Sequence, residues 1–219
     1  MNDKKICFIM CVNNSQYEQE CIRFIQNLKV PEGYETEQLS VYDAKSMTSG
    51  YNEAMASSDA KYKVYLHQDV FIVNKNFIEN ILHVFEDENV GMIGMVGSVK
   101  MPSDGIMWSG NRIGRLYTSN VNAAGEAVLG LADFPVSEVE AVDGLLVATQ
   151  YDVPWREDLF TGWDFYDVSQ SMEIRRKGYK VVVPHMDKPW CLHDDGLVNL
   201  VAYFEWRDIF LKEYEDMMN

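Results

Sequence analysis

Over the first hundred residues, short apolar runs alternate with stretches of helical periodicity, and few folds accommodate that order. Residues 4–12 are almost continuously apolar, which predicts a strand buried on both faces. Cys21, Ile22, Phe24, Ile25 and Leu28 then recur at helical spacing over 16–28, with Asn14 or Ser15 as the cap. Pro31-Glu32-Gly33 breaks the chain, and 36–42 alternates as a second strand. A helix over 46–57, a strand over 62–66, an amphipathic helix over 76–86 and a strand over 90–96 complete the series. This alternation predicts an α/β domain whose mostly parallel sheet is flanked by helices and joined by right-handed crossovers.

The second half changes character. Glycine, serine and asparagine are scattered from 100 to 135 without a long periodic element, so this region reads as loops with short strands. One or two strands are expected over 136–151, interrupted at Asp143-Gly144. A helix over 164–177 stops at Gly178, and 179–183 is a strand. Residues 197–214 read as a closing helix with an apolar stripe through Leu200, Val201 and Phe204. There is no internal repeat and no linker long enough to divide the 219 residues into separate domains.

A formal charge of −15 argues against broad contact with nucleic acid or an anionic membrane. It is compatible with a phosphate-bearing substrate if a divalent cation neutralises the site. The apolar stretch at 6–12 is too short to cross a bilayer and lacks the layout of a secretion signal. With no transmembrane segment and four cysteines that form neither a CxxC pair nor zinc-finger spacing, a cytoplasmic protein with reduced thiols is expected. Neither GxGxxG nor a Walker motif occurs, which counts against a dinucleotide oxidoreductase or a P-loop ATPase.

Three acidic clusters lie at or beside the ends of apolar runs, where open parallel sheets bind ligands. In His67-Gln68-Asp69, period-two alternation points His67 and Asp69 the same way if the strand persists. Asp69 is then a metal ligand or the cap of a turn. In Trp163-Asp164-Phe165-Tyr166-Asp167, the aspartates share a face if a helix has begun. A carboxylate at a helix start gains about 0.3–1 kcal/mol from the macrodipole alone. The flanking aromatics suggest more, because such walls commonly stack on sugars or bases. In His193-Asp194-Asp195-Gly196, a probable-loop composition offers His193 as a second metal ligand, whereas Asp195 reads as a cap for the last helix. An imidazole ligand tilts the choice of ion from Mg²⁺ toward Mn²⁺. Val12, Asn13 and Asp43 follow the first two strands and offer a pocket for a nucleotide base.

In this order the pattern resembles the GT-A fold glycosyltransferases, in particular the family 2-like group, with its Rossmann-type sheet. The resemblance covers nearly the whole chain. It rests on residues 6–14, on Ser49-Gly50-Tyr51-Asn52-Glu53-Ala54 before a strand ending in a DxD-like turn, and on Val142-Asp143-Gly144. Gly162-Trp163-Asp164 and Arg175-Arg176-Lys177-Gly178-Tyr179 complete it. Two positions depart from the family pattern: His67 stands for the first DxD acid, and Trp163 for the Glu of Glu-Asp.

The resemblance implies a nucleotide-binding half over 1–99 and an acceptor-side half over 100–219, with 100–135 as a lid or acceptor-side insertion. Val12, Asn13, Asp43, Asn52, His67 and Gln68 would serve the nucleotide, and Asp69 with His193 would hold Mn²⁺ or Mg²⁺. Asp143, Gly144 and Trp163 would meet the sugars. Asp164 would be the catalytic base, with Asp167 the second candidate. The expected activity is inverting sugar transfer from a nucleoside-diphosphate sugar, a uridine one foremost, to a glycan or other hydroxyl acceptor. A non-catalytic nucleotide- or glycan-binding domain is the alternative. A nucleotidyltransferase is disfavoured by the missing glycine- and lysine-rich phosphate loop.

Overall fold

The structure is a computed structural model that describes residues 1–120, 124–196 and 200–218. Its first part follows the expected order: β1 (Asn2–Val12), α1 (Ser15–Gln26), β2 (Glu35–Tyr42), α2 (Met47–Ser57), β3 (Ala60–Leu66), β4 (Val70–Ile72), α3 (Phe77–Val84) and β5 (Val90–Gly94). Ile6 to Met10 of β1 are wholly buried, as the unbroken apolar run requires. Asn14 caps α1, its side chain accepting from the amides of Gln16 at 3.0 Å and Tyr17 at 3.3 Å. Ser46 caps α2 through a reciprocal bond with Ser49, each hydroxyl accepting from the other's amide at 3.1 Å.

The remaining elements are β6 (Val96–Ser98), β7 (Arg112–Asn120), β8 (Ala124–Gly130), β9 (Val136–Val139), β10 (Ala141–Val142), β11 (Leu146–Thr149), α4 (Tyr166–Arg176), β12 (Lys180–Pro184), β13 (Cys191–Gly196) and α5 (Tyr203–Glu213). A seven-stranded sheet runs β2-β1-β3-β11-β5-β12-β9. Its strands are parallel except β11 and β9, which run against their neighbours. The sheet is therefore mostly parallel, within one α/β domain. β11 comes from the second half of the chain yet sits between β3 and β5, so residues 1–99 and 100–219 share a sheet. A smaller sheet runs β10-β6-β7-β13-β4, with β8 pairing on β7.

Several sequence expectations need correction here. The apolar run 90–96 is two strands in different sheets, because Val90 to Val96 are buried throughout and give no periodic sign of the break. Region 100–135 is not mainly loop: β7 and β8 form a hairpin of nine and seven residues. Its strands are half-exposed and interrupted by Gly114, which has φ +118° at the register shift. Residues 121–123 of that region lie outside the described residues. Segment 136–151 holds three short strands, β9 to β11, and residues 191–196 form a strand where a loop was expected.

Both closing helices start later than periodicity suggests. Phe165 adopts a left-handed conformation (φ +60°) immediately before α4, so Asp164 precedes the helix and shares no helical face with Asp167. Gly178, at φ +85°, follows its end as predicted. The part of the last helix expected at 197–199 lies outside the described residues; Leu200 and Val201 precede α5. With Phe204 they are exposed, and the buried stripe is instead Phe210 and Tyr214, packed with Phe160, Phe165 and Met172. Arg156 and Arg176 fasten this end by pairing with Glu213 at 2.8 and 2.9 Å. Ala202, not Asp195, occupies the N-cap of α5. Among the described residues, no helix is long and apolar enough to cross a membrane.

Candidate active site

The turn after β3 sets the centre of the site. The amide of His67 donates to Leu145 O at 3.0 Å, and the amide of Val70 donates back to His67 O at 3.2 Å. β3 ends at Leu66, so strand alternation does not reach His67; the tight turn instead brings His67 and Asp69 to one side, with Nδ1 and Oδ1 3.9 Å apart. β13 completes the group. Because it is a strand, His193 and Asp195 face a cavity of about 740 Å³. Asp194 points the other way and accepts from the Tyr17 hydroxyl at 3.0 Å. The amide of Asp194 donates to Asp69 O at 3.0 Å, which locks β13 to the turn. His193 Nε2 consequently lies 3.6 Å from Asp69 Oδ1 and 3.4 Å from His67 Nδ1.

These three residues can offer ligand atoms that all lie within 4.8 Å of one another. Burial and then the adjacent His193 charge pull His67 down to about 4, so its imidazole is neutral at pH 7 and free to coordinate. Burial alone would lower His193, but the Asp69 carboxylate reverses the sign and raises it. Burial would likewise raise Asp69, but the neighbouring His193 and His67 imidazoles hold it below the usual range. Asp69 Oδ1 is nonetheless buried without a hydrogen-bond partner among the described residues. Two imidazoles and an orphaned carboxylate oxygen suit a first-row divalent cation. The Tyr166 hydroxyl bonds His67 Nε2, an outer contact that fixes the ring and leaves Nδ1 for a ligand.

The cavity also gathers Asp143, Trp163, Asp164 and Asp167. Asp167 opens α4 and accepts from the Gly144 amide at 2.9 Å. Burial, then the Asp143 charge, push it up to about 7. Asp164 is half-buried and raised by burial alone. Asp143 folds back to accept from the Leu145 amide at 2.9 Å. Gly144 does not line the cavity; its Cα lies against the Tyr166 ring, so it shapes the site from behind.

Val12 and Asn13 sit at the end of β1 beside Asp43, since Val12 is in register with Tyr42 at the end of β2. Asp43 takes a left-handed conformation (φ +56°) there. Gln68 ties this corner to the His67–Asp69 turn: its oxygen accepts from the amides of Asn13 at 3.0 Å and Asn14 at 2.9 Å. Its nitrogen donates to Asn13 Oδ1 at 2.6 Å. Asn52 is held away from this cavity: its amide both donates to Trp155 O and accepts from Trp155 N at 2.9 Å, stapling α2 to the chain beyond β11. Tyr166 and Asp195 were not singled out as site residues by sequence. Strand periodicity at 191–196 would have found Asp195, and no sequence signal pairs Tyr166 with His67.

Residues 7–214 match the family described as glycosyltransferase-like. The chain belongs to that family. This glycosyltransferase-family domain is 27% identical over 199 residues to the streptomycin biosynthesis protein StrF of Streptomyces griseus, covering 85% of the chain and 66% of StrF. It thus spans just under two thirds of that relative's length. Among solved structures it resembles the Pyrobaculum calidifontis mannosyltransferase PcManGT in complex with GDP-Man and Mn²⁺ (TM-score 0.60, 12% identity, 100% of this chain and 65% of that one). It also resembles residues 1–349 of S. aureus TarS in complex with UDP-GlcNAc (TM-score 0.62, 10% identity, 98% and 67%). At these identities the structural likeness speaks to the fold, which is that of the GT-A enzymes.

Proposed function

We propose that this domain transfers a sugar, with inversion, from a nucleoside-diphosphate sugar, a uridine one foremost, to a hydroxyl acceptor. The observation that carries the reading is the meeting of a His67–Asp69–His193 cluster with Asp164 and Asp167 around one cavity, in a chain of this family. Val12, Asn13 and Asp43 receive the nucleoside, with Gln68 holding their loop. His67, Asp69 and His193 would hold Mn²⁺ or Mg²⁺, and the cation would offset the charge that develops on the departing diphosphate. Asp164 takes the acceptor hydroxyl proton as that oxygen attacks the anomeric carbon from the face opposite the diphosphate. The new glycosidic bond forms while the bond to the diphosphate oxygen breaks.

Asp167 is the second candidate for the base, favoured by a specific observation. Its carboxyl is pushed up to about 7 by burial and the Asp143 charge, near the operating pH of a general base, whereas Asp164 is raised by burial alone. Trp163 and Asp143 contact the sugars.

The test is the melting temperature with UDP, GDP, CDP and ADP, each with and without Mn²⁺, for the parent and for Asp69→Ala. A ligand at 100 times its dissociation constant adds about 2.7 kcal/mol, or roughly 5–11 °C in a chain of this size. A manganese-dependent rise with a uridine nucleotide, lost in Asp69→Ala, is expected. A flat response to all four nucleotides would refute donor binding and leave a glycan-binding role.

A further inference from the structure

The cavity is strongly divided by chemistry. Its lining holds Asp69, Asp143, Asp164, Asp167 and Asp195 with the two histidines, and among the described residues no lysine or arginine lines it. The rest of the lining is largely apolar and is partly in solvent at Trp108 (41% exposed), Trp163 (52%), Leu200 (50%) and Phe204 (52%). Large apolar side chains left half in water around a cavity mouth mark a contact surface. The nearest guanidiniums lie over rings at the mouth, Arg112 at 5.2 Å from the Trp108 ring centre and Arg207 at 5.1 Å from that of Phe204. Arg207 also pairs with Asp208 at 2.8 Å. They do not line the cavity.

From this division we infer that the acceptor is an uncharged hydroxyl compound carrying an apolar aglycone, and that anionic acceptors are excluded. The inference rests on the reading of the site as a glycosyltransferase. The hydroxyl reaches toward Asp164 and Asp167, and the aglycone lies along Trp163, Phe204 and Leu200 out to the mouth. With the cation engaged by the donor diphosphate, an acidic acceptor would meet the remaining carboxylates and no basic side chain of the cavity lining. A bare polar glycan would leave the apolar wall in water. The occupant therefore continues the reacting site outward along its own wall.

Calorimetric binding of three probes to the whole chain, without donor, tests this: n-hexyl β-D-glucoside, methyl β-D-glucoside and n-hexyl β-D-glucuronide. The hexyl glucoside is expected to bind at least about tenfold more tightly than the methyl glucoside, since each buried methylene favours association. The glucuronide is expected to bind about tenfold more weakly than its neutral counterpart. In the double variant Leu200→Ala/Phe204→Ala, the hexyl glucoside should fall to the level of the methyl glucoside with no change in melting temperature.

Equal binding of the hexyl and methyl compounds overturns the proposal, and so does tightest binding by the glucuronide. Silence from all three also overturns it, because the apolar wall should take the hexyl chain whatever the sugar. The nucleotide melting series separates the two readings. Aglycone binding without any nucleotide response would sink sugar transfer and leave this surface standing. A nucleotide response without aglycone preference would sink only the acceptor assignment.

Discussion

Gly144→Ala tests how the His67–Asp69 turn, the proposed metal site, is held from behind. The loop from Asp143 to Leu145 passes so close to α4 that a Cβ on Gly144 would fall 2.5 Å from Cζ and 2.6 Å from Cε2 of Tyr166, and nearer still to its hydroxyl. Gly144 does not have a positive φ, so alanine brings no backbone strain and the effect is steric. Tyr166 cannot swing aside easily, because its ring packs against Tyr51 and Trp155 with centroids 6.0 and 6.1 Å away. Overpacking of this kind costs about 1–3 kcal/mol, which lowers the melting temperature by roughly 2–12 °C in a domain of this length. The displaced hydroxyl also releases His67 Nε2, and loss of such an outer contact weakens metal binding by about 10–100-fold. Thermal melts and Mn²⁺ titration read the two effects separately. Tyr166→Phe should reproduce the weaker Mn²⁺ binding without the overpacking. Combined with Gly144→Ala it should relieve part of the clash, giving a double variant more stable than the summed losses. A Gly144→Ala protein with the parent melting temperature and Mn²⁺ affinity would refute the reasoning.

Asp164→Asn should lower transfer by about 10²–10⁴ while leaving the nucleotide-dependent melting shift intact; transfer at the parent rate would move the base to Asp167. Asp167 itself gives a pH signature. Its folded-state value of about 7 lies above the ordinary carboxyl value, so its protonated form stabilises the fold at low pH. That contribution is lost as pH rises from about 4 through 7, and is on the order of a few kcal/mol at most. Asp167→Asn should therefore flatten the decline in melting temperature between pH 5 and 8 and raise it at pH 8; an unchanged pH profile would count against the raised value. Asn52→Ala removes both hydrogen bonds to the Trp155 backbone, at a cost of about 1–3 kcal/mol. Its melting temperature should fall while the nucleotide-dependent rise above that new baseline is preserved. A selective loss of nucleotide response would return Asn52 to the donor site.

The sequence was most legible where burial is one-sided or complete and the caps are local. β1, α1, β2 and α2 follow from apolar period and from Asn14 and Ser46, whose bonds reach only three residues along the chain. Legibility failed where partners are distant or the pattern is mixed. The β7–β8 hairpin carries polar and half-exposed residues on both strands, so its period is faint. Asp164 was taken for a helical residue because Phe165 looks like an ordinary helix former; its left-handed turn leaves no compositional mark. Asn52 has the composition of a ligand contact, yet its partner is a backbone 103 residues away. The cluster of His67, Asp69 and His193 was partly visible. His67 and Asp69 come together through a turn that strand spacing does not describe, and His193 joins them because β13 pairs with β4.

The placement of β11 explains how acidic clusters so far apart in sequence come to share a site. An antiparallel strand between β3 and β5 pairs Leu146 with Leu66, so the residues just before β11 emerge beside the turn just after β3. That is why Leu145 O meets the His67 amide, and why Asp143 and Gly144 arrive at the same point. α4 then begins over this loop, with Asp167 bonded to the Gly144 amide and Tyr166 bonded to His67. A fully parallel sheet would carry the chain before each strand to the far edge, away from the ligand-binding ends. Reversing one central strand delivers a second loop to the binding edge and couples its position to the His67–Asp69 turn. Changes in β11 should thus disturb Asp167 and His67 together, even though no residue of that strand between Leu146 and Thr149 lines the cavity.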